Sequence, residues 1–441
     1  MSSILKLPIT NVYAKGDYCA TLHIGSEQSP VNLIIDSGSS TLVVKEENYQ
    51  ASKDKHLTPT TIAQEVNYGV GGWNGPVVHS SISIYDDSFT VDSAKGSSVK
   101  ENKPSITLEN ATIALVSSKT QYATFGKADG ILGLAYHHLN KGFNLSEYIH
   151  EQDISPAHTY PWPFTKSSEN LKQFKHFLWQ YPEHDITPYF TELALHNLST
   201  NKFSFYSKRS AIHINENNSA QSSPEALKQD PLNQGWLIFG GGDEQTDLYQ
   251  GDFHSIKVEH DVYYNVELIS VQVGNKTPIA AAPLDKKNLK SYLTNAIIDT
   301  GAGVIVLTAE IYQQMINDLI AVNSDFAALL KPFKELSAQE VGIDASELNL
   351  EQWPDITFTF VGDITNGKVG DKKKTIELSC KPQTYWQVNT PSFDKACFRL
   401  LSQLPKWPNQ SIIGLPLLNN YYVIFDRSAD STGVIKFAKL K

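Results

Sequence analysis

The feature that most constrains this chain is a short pattern that occurs twice. Leu33-Ile34-Ile35-Asp36-Ser37-Gly38-Ser39-Ser40 runs three apolar residues into an acidic turn, and Ala296-Ile297-Ile298-Asp299-Thr300-Gly301-Ala302-Gly303 does the same. A branched apolar run follows each, Leu42-Val43-Val44 and Val304-Ile305-Val306-Leu307. Farther along, Ile131-Leu132-Gly133-Leu134 is echoed by Ile412-Ile413-Gly414-Leu415, and upstream Tyr18 to Gly25 is echoed by Tyr264 to Gly274. A lone Asp-Ser/Thr-Gly would be an ordinary turn, and about 0.2 copies are expected by chance in a chain this long. Two copies at matching places in a repeat predict two related lobes, over residues 1–247 and 248–441, about a pseudo-twofold axis.

The lobes should be mainly β. Runs dense in Val, Ile, Thr and aromatics recur between Gly, Asn, Asp and Ser clusters, as strands between turns do. Val31–Ile35, Ser81–Tyr85, Thr112–Val116, Phe203–Tyr206, Trp236–Phe239, Val266–Val273, Ala296–Ile298, Asp355–Phe360 and Tyr421–Phe425 are examples. Helical periodicity is local: Glu310–Ile320 places Ile311, Met315, Leu319 and Ile320 on one stripe. The polar stretches Asp92–Ser105 and Lys208–Asn233 read as surface loops. Ser155–Phe190 is rich in aromatics among Pro and Lys, which predicts a folded insertion packed against its lobe.

Charge and composition then exclude several classes. With 37 Lys and Arg against 47 Asp and Glu, the formal net charge is −10, which disfavours a phosphate backbone as partner. No apolar run approaches the roughly 18–20 residues of a membrane span. Ile4 and Leu5 are interrupted by Lys6, so no secretory signal is expected. Cys19, Cys380 and Cys397 are too few for a disulfide framework and fit a reducing compartment. These features predict a soluble, cytoplasmic protein, and a monomer is expected. HExxH, paired CxxC, Gly-rich phosphate loops and the G-x-S-x-G elbow are missing, so neither a metal nor a cofactor is expected.

Duplicating an aspartate turn has a chemical use. A twofold axis between the turns would bring Asp36 and Asp299 together, and two carboxylates in contact cannot both ionise cheaply. One then serves as general base and the other as general acid. Such a pair can deprotonate a water, add it to an amide carbonyl and return the proton to the leaving nitrogen. Gly38 and Gly301 let backbone approach the carboxylates. Ser37 and Thr300 offer hydroxyls that could tie the two turns together.

These motifs resemble those of pepsin-type aspartic proteases, and most closely the bacterial pepsin homologues called shewasins. Tyr68-Gly69-Val70-Gly71 is similar to the flap hairpin of that family, Asp129–Tyr136 to its DGILGLAY stretch, and Tyr421–Arg427 to its C-terminal strand. The resemblance implies a bilobal pepsin-like acid protease fold with the active-site cleft between the lobes. It implies an aspartic endopeptidase that acts on peptides or proteins at acidic pH, prefers large apolar residues around the cut bond, and binds pepstatin-type inhibitors. Asp36 and Asp299 would be catalytic, and Ser39 would hydrogen-bond Asp36. Gly38, Ser39, Gly301 and Ala302 would face substrate, covered by Tyr68, Gly69 and Val70. Ile34, Tyr122 and Ile131 would form the apolar wall of the first specificity pocket.

The chain also departs from that family. Ser37 stands for the usual Thr and keeps the hydroxyl. Ala302 stands where pepsin has Thr, and losing that hydroxyl removes a hydrogen bond to Asp299, which should raise the pKa of the dyad and move activity toward less acidic pH. Val43 occupies the place of a Trp that hydrogen-bonds the flap Tyr. Cys397 matches half of a family disulfide but has no partner near Glu347–Trp353, so free thiols are expected. No prosegment is expected before the first lobe. The rival reading is a catalytically silent pepsin-fold binding protein; intact Asp turns and Tyr68 favour the enzyme.

Overall fold

Branched and aromatic residues fit a pleated surface buried on at least one side, and the expected apolar runs form strands, with Val266–Val273 breaking at Glu267 into two. The structure, a computed structural model, describes residues 3–14, 16–67, 72–85, 104–119, 125–164, 170–218, 223–363, 374–429 and 431–441. Tyr68, Gly69, Val70 and Tyr122, with most of Asp92–Ser105, lie outside the described residues. The chain divides into two compact units, Met1–Pro8 with Cys19–Asn201 and Ile9–Tyr18 with Lys202–Lys441. Among the described residues no helix is long and apolar enough to cross a membrane.

In the first unit the main strands are β1 (Asp17–Ile24, whose first two residues fall to the second unit), β2 (Ser29–Asp36), β3 (Leu42–Lys45), β4 (Thr58–Asn67), β5 (Gly72–Ile84), β6 (Ile106–Val116) and β7 (Gly130–Gly133). Neighbours run β4-β5-β6-β3-β7-β2-β1, and β1 pairs back onto β5 through His23–Ser83 and Ile24–Ile82. That pairing closes a ring of six strands and removes the free edges an open sheet would leave. Its interior is apolar: Leu22, Val31, Leu33, Ile35, Val43, Val77, Ile82, Ile113 and Leu132 are fully buried.

The aromatic-rich insertion packs on β4. Strand β8 (Lys141–Asn144) pairs with β4 and with β9 (Glu183–Asp185), while α1 (Ser146–Glu151) and α2 (Leu171–Leu178) supply a separate core. Leu145, Ile149, Phe164, Phe174 and Leu178 bury against Ala63 of β4, with Trp162, Phe177 and Tyr181 around them. The aromatic-rich insertion is thus folded and packed on its own unit, as expected. Helix α3 (Tyr189–Leu195) follows.

The second unit has an antiparallel sheet of β10 (Lys202–Tyr206), β11 (Gln234–Phe239), β12 (Tyr249–Lys257), β22 (Tyr421–Asp426) and β23 (Val434–Leu440). Every residue of β22 is buried, and Phe425 stacks on Phe203 at 4.6 Å. A second sheet contains β13 (Tyr264–Val266), β15 (Ala296–Ile298), β16 (Ile305–Leu307), β20 (Leu400–Ser402) and β21 (Ser411–Ile413). A third contains β14 (Leu268–Val273), β17 (Ile356–Val361) and β18 (Thr375–Cys380), and β19 (Lys395–Phe398) lies in a small fourth.

Two local expectations need correction. Helix α4 (Ala309–Val322) forms where the periodicity predicts it, but its buried stripe is Ile311, Met315, Ile316 and Leu319; Ile320 is half-buried at the border. The stretch 208–233 is not a plain surface loop, since Arg209, Ser210, Asp230 and Asn233 are buried. Internal partners make that burial tolerable. His213 Nδ1 lies 2.6 Å from Asp230 Oδ2, the Asn233 amide donates to the His213 and Leu227 carbonyls, and Arg209 Nη2 donates to the Val388 carbonyl at 2.6 Å.

Candidate active site

Each Asp-Ser/Thr-Gly turn sits at the end of the same three-strand arrangement. In the first unit β2 runs parallel to β7, with Asp36 opposite Gly133, and β3 returns antiparallel on the far side of β7, pairing Val43 with Ile131. In the second unit β15 runs parallel to β21, with Ile298 opposite Ile413, and β16 returns antiparallel, pairing Val306 with Ile412. The chain therefore leaves one flank of the middle strand, turns at the aspartate and comes back on the other flank. The turn must pass over the end of that middle strand, where there is room for backbone alone. A Cβ on Gly133 would lie 2.4 Å from the carbonyl carbon of Ser40, and one on Gly414 would lie 2.2 Å from the Ala302 and Val304 oxygens. The sequence repeat makes these glycines conspicuous; only the strand crossing shows why they are required.

Both carboxylates are held by the backbone in the same way. Gly38 N donates to Asp36 Oδ1 at 2.8 Å, and Gly301 N donates to Asp299 Oδ1 at 2.8 Å. Such bonds strengthen when the acceptor is ionised. The main chain is pinned too: Leu134 N donates to the Asp36 carbonyl at 2.7 Å, and Asp299 N donates to the Ile413 carbonyl at 3.0 Å. Ser37 and Thr300 are fully buried, whereas both aspartates keep partial exposure.

The turns differ at the next two positions. Ser39 Oγ donates to Asp36 Oδ2 at 2.6 Å, while the equivalent Ala302 has only a methyl group. Ser40 Oγ donates to the Tyr136 carbonyl; its counterpart is Gly303. The first turn thus offers its carboxylate a hydroxyl donor at a position where the second turn has only a methyl group.

Ile34 and Ile131 are brought side by side, directly paired across β2 and β7, with 8% and 6% of their surface exposed where Leu33, Ile35 and Leu132 have none. Val43 is fully buried between Ala114 and Ile131. A buried polar group that no sequence motif announces joins the first turn to β4: Thr41 Oγ1 donates to Asn140 Oδ1 at 2.9 Å, and Gln64 Nε2 donates to the same oxygen at 2.8 Å and to Thr41 Oγ1 at 3.1 Å. Strand β4 is held from its other side by the insertion. Thr159 N and Oγ1 donate to the Thr60 carbonyl, and Lys175 Nζ approaches Glu65 at 3.3 Å.

The three thiols, Cys19, Cys380 and Cys397, are free and buried. Burial pushes Cys380 up to about 12 and Cys397 up to about 11, which disfavours the thiolate form of both. Among the described residues, no three His, Cys, Asp or Glu side chains group closely enough to hold a metal ion.

A family profile described as eukaryotic aspartyl protease matches residues 17–152 and 226–439, which include both Asp turns and both glycine-pinned middle strands. The chain belongs to that family. It is an aspartic-type endopeptidase of the pepsin-like class, and its mainly β architecture is that of the class. Three relatives align with 97% of the chain. Pepsin A of Gallus gallus is 21% identical over 86% of its own length. Vacuolar protease A of Neurospora crassa is 22% identical over 80% of its length, and the vacuolar aspartic protease of Candida albicans is 22% identical over 76%.

Proposed function

We propose that Asp36 and Asp299 act as one dyad that shares a proton and holds the attacking water. The observation that carries this is the equivalence of the two turns: each aspartate ends the same strand crossing and accepts the same Gly N–H at 2.8 Å. The ionised member takes a proton from the water as its oxygen adds to the scissile carbonyl, and the protonated member gives its proton to the carbonyl oxygen. Collapse of the tetrahedral adduct breaks the C–N bond, with a proton passing to the departing amine. The Ser39 hydroxyl, replaced by a methyl group at Ala302, favours Asp36 as the ionised member. The pair still titrates as a unit.

Substrate is a peptide or protein, and the activity belongs to acidic pH, where one proton stays on the dyad. Gly38, Ser39, Gly301 and Ala302 border the reacting bond, and Ser37 and Thr300 support the turns; the role of covering the substrate is assigned to Tyr68, Gly69 and Val70 on their sequence motif alone. Ile34 and Ile131, paired across β2 and β7 and both slightly exposed, support a preference for large apolar residues beside the cut bond. The reading also takes the protein as a pepstatin-sensitive monomer of the bacterial shewasin type. Three buried free thiols support a cytoplasmic setting.

The test is cleavage of a fluorogenic peptide with adjacent large apolar residues from pH 3 to 7, with and without pepstatin. Acid-dependent cleavage that pepstatin abolishes is the expected result. Folded protein that cleaves nothing at any pH would overturn the proposal.

A further inference from the structure

The two aspartate turns are tied down by different means. The first is held from within, by the hydroxyls of Ser39 and Ser40. The second carries Ala302 and Gly303 at those places, and neither has a polar side chain. The Gly303 carbonyl instead receives two donors from one guanidinium, Arg399 Nε at 3.0 Å and Nη2 at 2.8 Å. The same group reaches the Ser210 carbonyl through Nη2 at 3.1 Å and Gln339 Oε1 through Nη1 at 3.1 Å. The backbone carbonyl of Arg399 accepts from Ile305 N at 3.0 Å, just beyond the turn. Gly303 leaves the space for this grip: a Cβ there would lie 3.0 Å from Arg399 Nη2 and 3.0 Å from an Asp17 carboxylate oxygen.

A guanidinium suits this task because its donors are fixed in one plane and stay charged. Charge-assisted hydrogen bonds are roughly twice as strong as neutral ones. A lysine ammonium could satisfy one or two of these acceptors but not three in fixed directions. All the residues concerned lie in the second unit.

We propose that Arg399 is a positioning residue for Asp299. It supplies from outside the turn the restraint that Ser39 and Ser40 supply from inside the first, and so fixes the backbone from Ala302 to Val304 on which the Asp299 carboxylate depends. The inference rests on the protease reading for its kinetic consequence and on the turn geometry alone for its structural one.

The experiment compares wild type, Arg399→Met and Arg399→Lys by steady-state peptide cleavage and by amide hydrogen exchange. For Arg399→Met, kcat should fall 10- to 100-fold with KM changed less than threefold. Exchange in a peptide covering residues 299–305 should quicken at least tenfold while residues 36–42 stay as in wild type. Arg399→Lys should recover part of both, and it carries the comparison if the Met variant does not fold. Unchanged exchange at 299–305 would overturn the clamp. Faster exchange with wild-type kcat would overturn the positioning role. Wild-type protein without pepstatin-sensitive cleavage would remove the protease reading, and exchange alone would then decide the clamp.

Discussion

Ser39 and Ala302 occupy the same place in two otherwise matching turns. The Ser39 hydroxyl stabilises an ionised Asp36 at 2.6 Å, and a threonine at 302 would offer the second carboxylate a comparable donor. Donation to the charged form lowers a pKa, and a net hydrogen bond of about 1 kcal/mol corresponds to a shift of roughly 0.7 pH unit. Ala302→Thr should therefore move the alkaline limb of the cleavage profile, where the second carboxyl loses its proton, down by about half a unit, and Ser39→Ala should move the acid limb, where Asp36 takes up its proton, up by a similar amount. Full kcat/KM profiles of both variants check this; identical limbs would detach the dyad from these hydroxyls. Gly133 is a residue-scale constraint of another kind. With Ser40 backbone 2.4 Å from where its Cβ would sit, Gly133→Ala should cost several kcal/mol or prevent folding, which urea unfolding would show.

At the scale of elements, the insertion braces β4. The segment 153–225 falls between the two stretches matched by the family profile, yet it contributes Phe164, Phe174 and Leu178 to a core that includes Ala63 of β4. Phe174→Ala should destabilise the first unit by roughly 3–5 kcal/mol, read as an early unfolding step confined to that unit. The aromatic density of this stretch was legible in the sequence, but its choice of β4 was not, because that depends on Thr159 and Lys175 meeting Thr60 and Glu65. Helix α3 adds a pH dependence. Burial pushes Glu192 up to about 7 despite donation from Thr112, and its Oε2 lacks a hydrogen-bond partner. The folded state therefore keeps this proton up to about pH 7, while the unfolded chain releases it near the ordinary value of 4.5. Stability from this group is greatest below that value and falls as pH rises toward 7. Glu192→Gln should raise the thermal midpoint at pH 7.5 and leave it nearly unchanged at pH 4; an equal shift at both would contradict the assignment.

For the molecule as a whole, duplication was the legible part. The repeated Asp turns and the repeated Ile-Leu-Gly and Ile-Ile-Gly stretches correspond to strands in the same parallel and antiparallel registers in both units. Local pattern reaches that far because each crossing is built from residues near its own turn. Arg399 was not legible, since it lies 96 residues from the carbonyl it grips and belongs to no motif. The burial of the polar stretch near Arg209 and Asp230 is not legible for a similar reason: polar composition suggests solvent unless the distant partners are known.

The central claim is that two separate turns make one catalytic unit, and the most direct measurement is a mutant cycle on Asp36 and Asp299. Cleavage by Asp36→Asn, Asp299→Asn and the double variant would be compared at the wild-type optimum, with folding verified by thermal unfolding. Residues that act as a unit are strongly non-additive. Each single variant should lose at least about a thousandfold in kcat, and the double variant should be no worse than either. Substantial activity in one single variant, or losses that multiply in the double, would contradict the account.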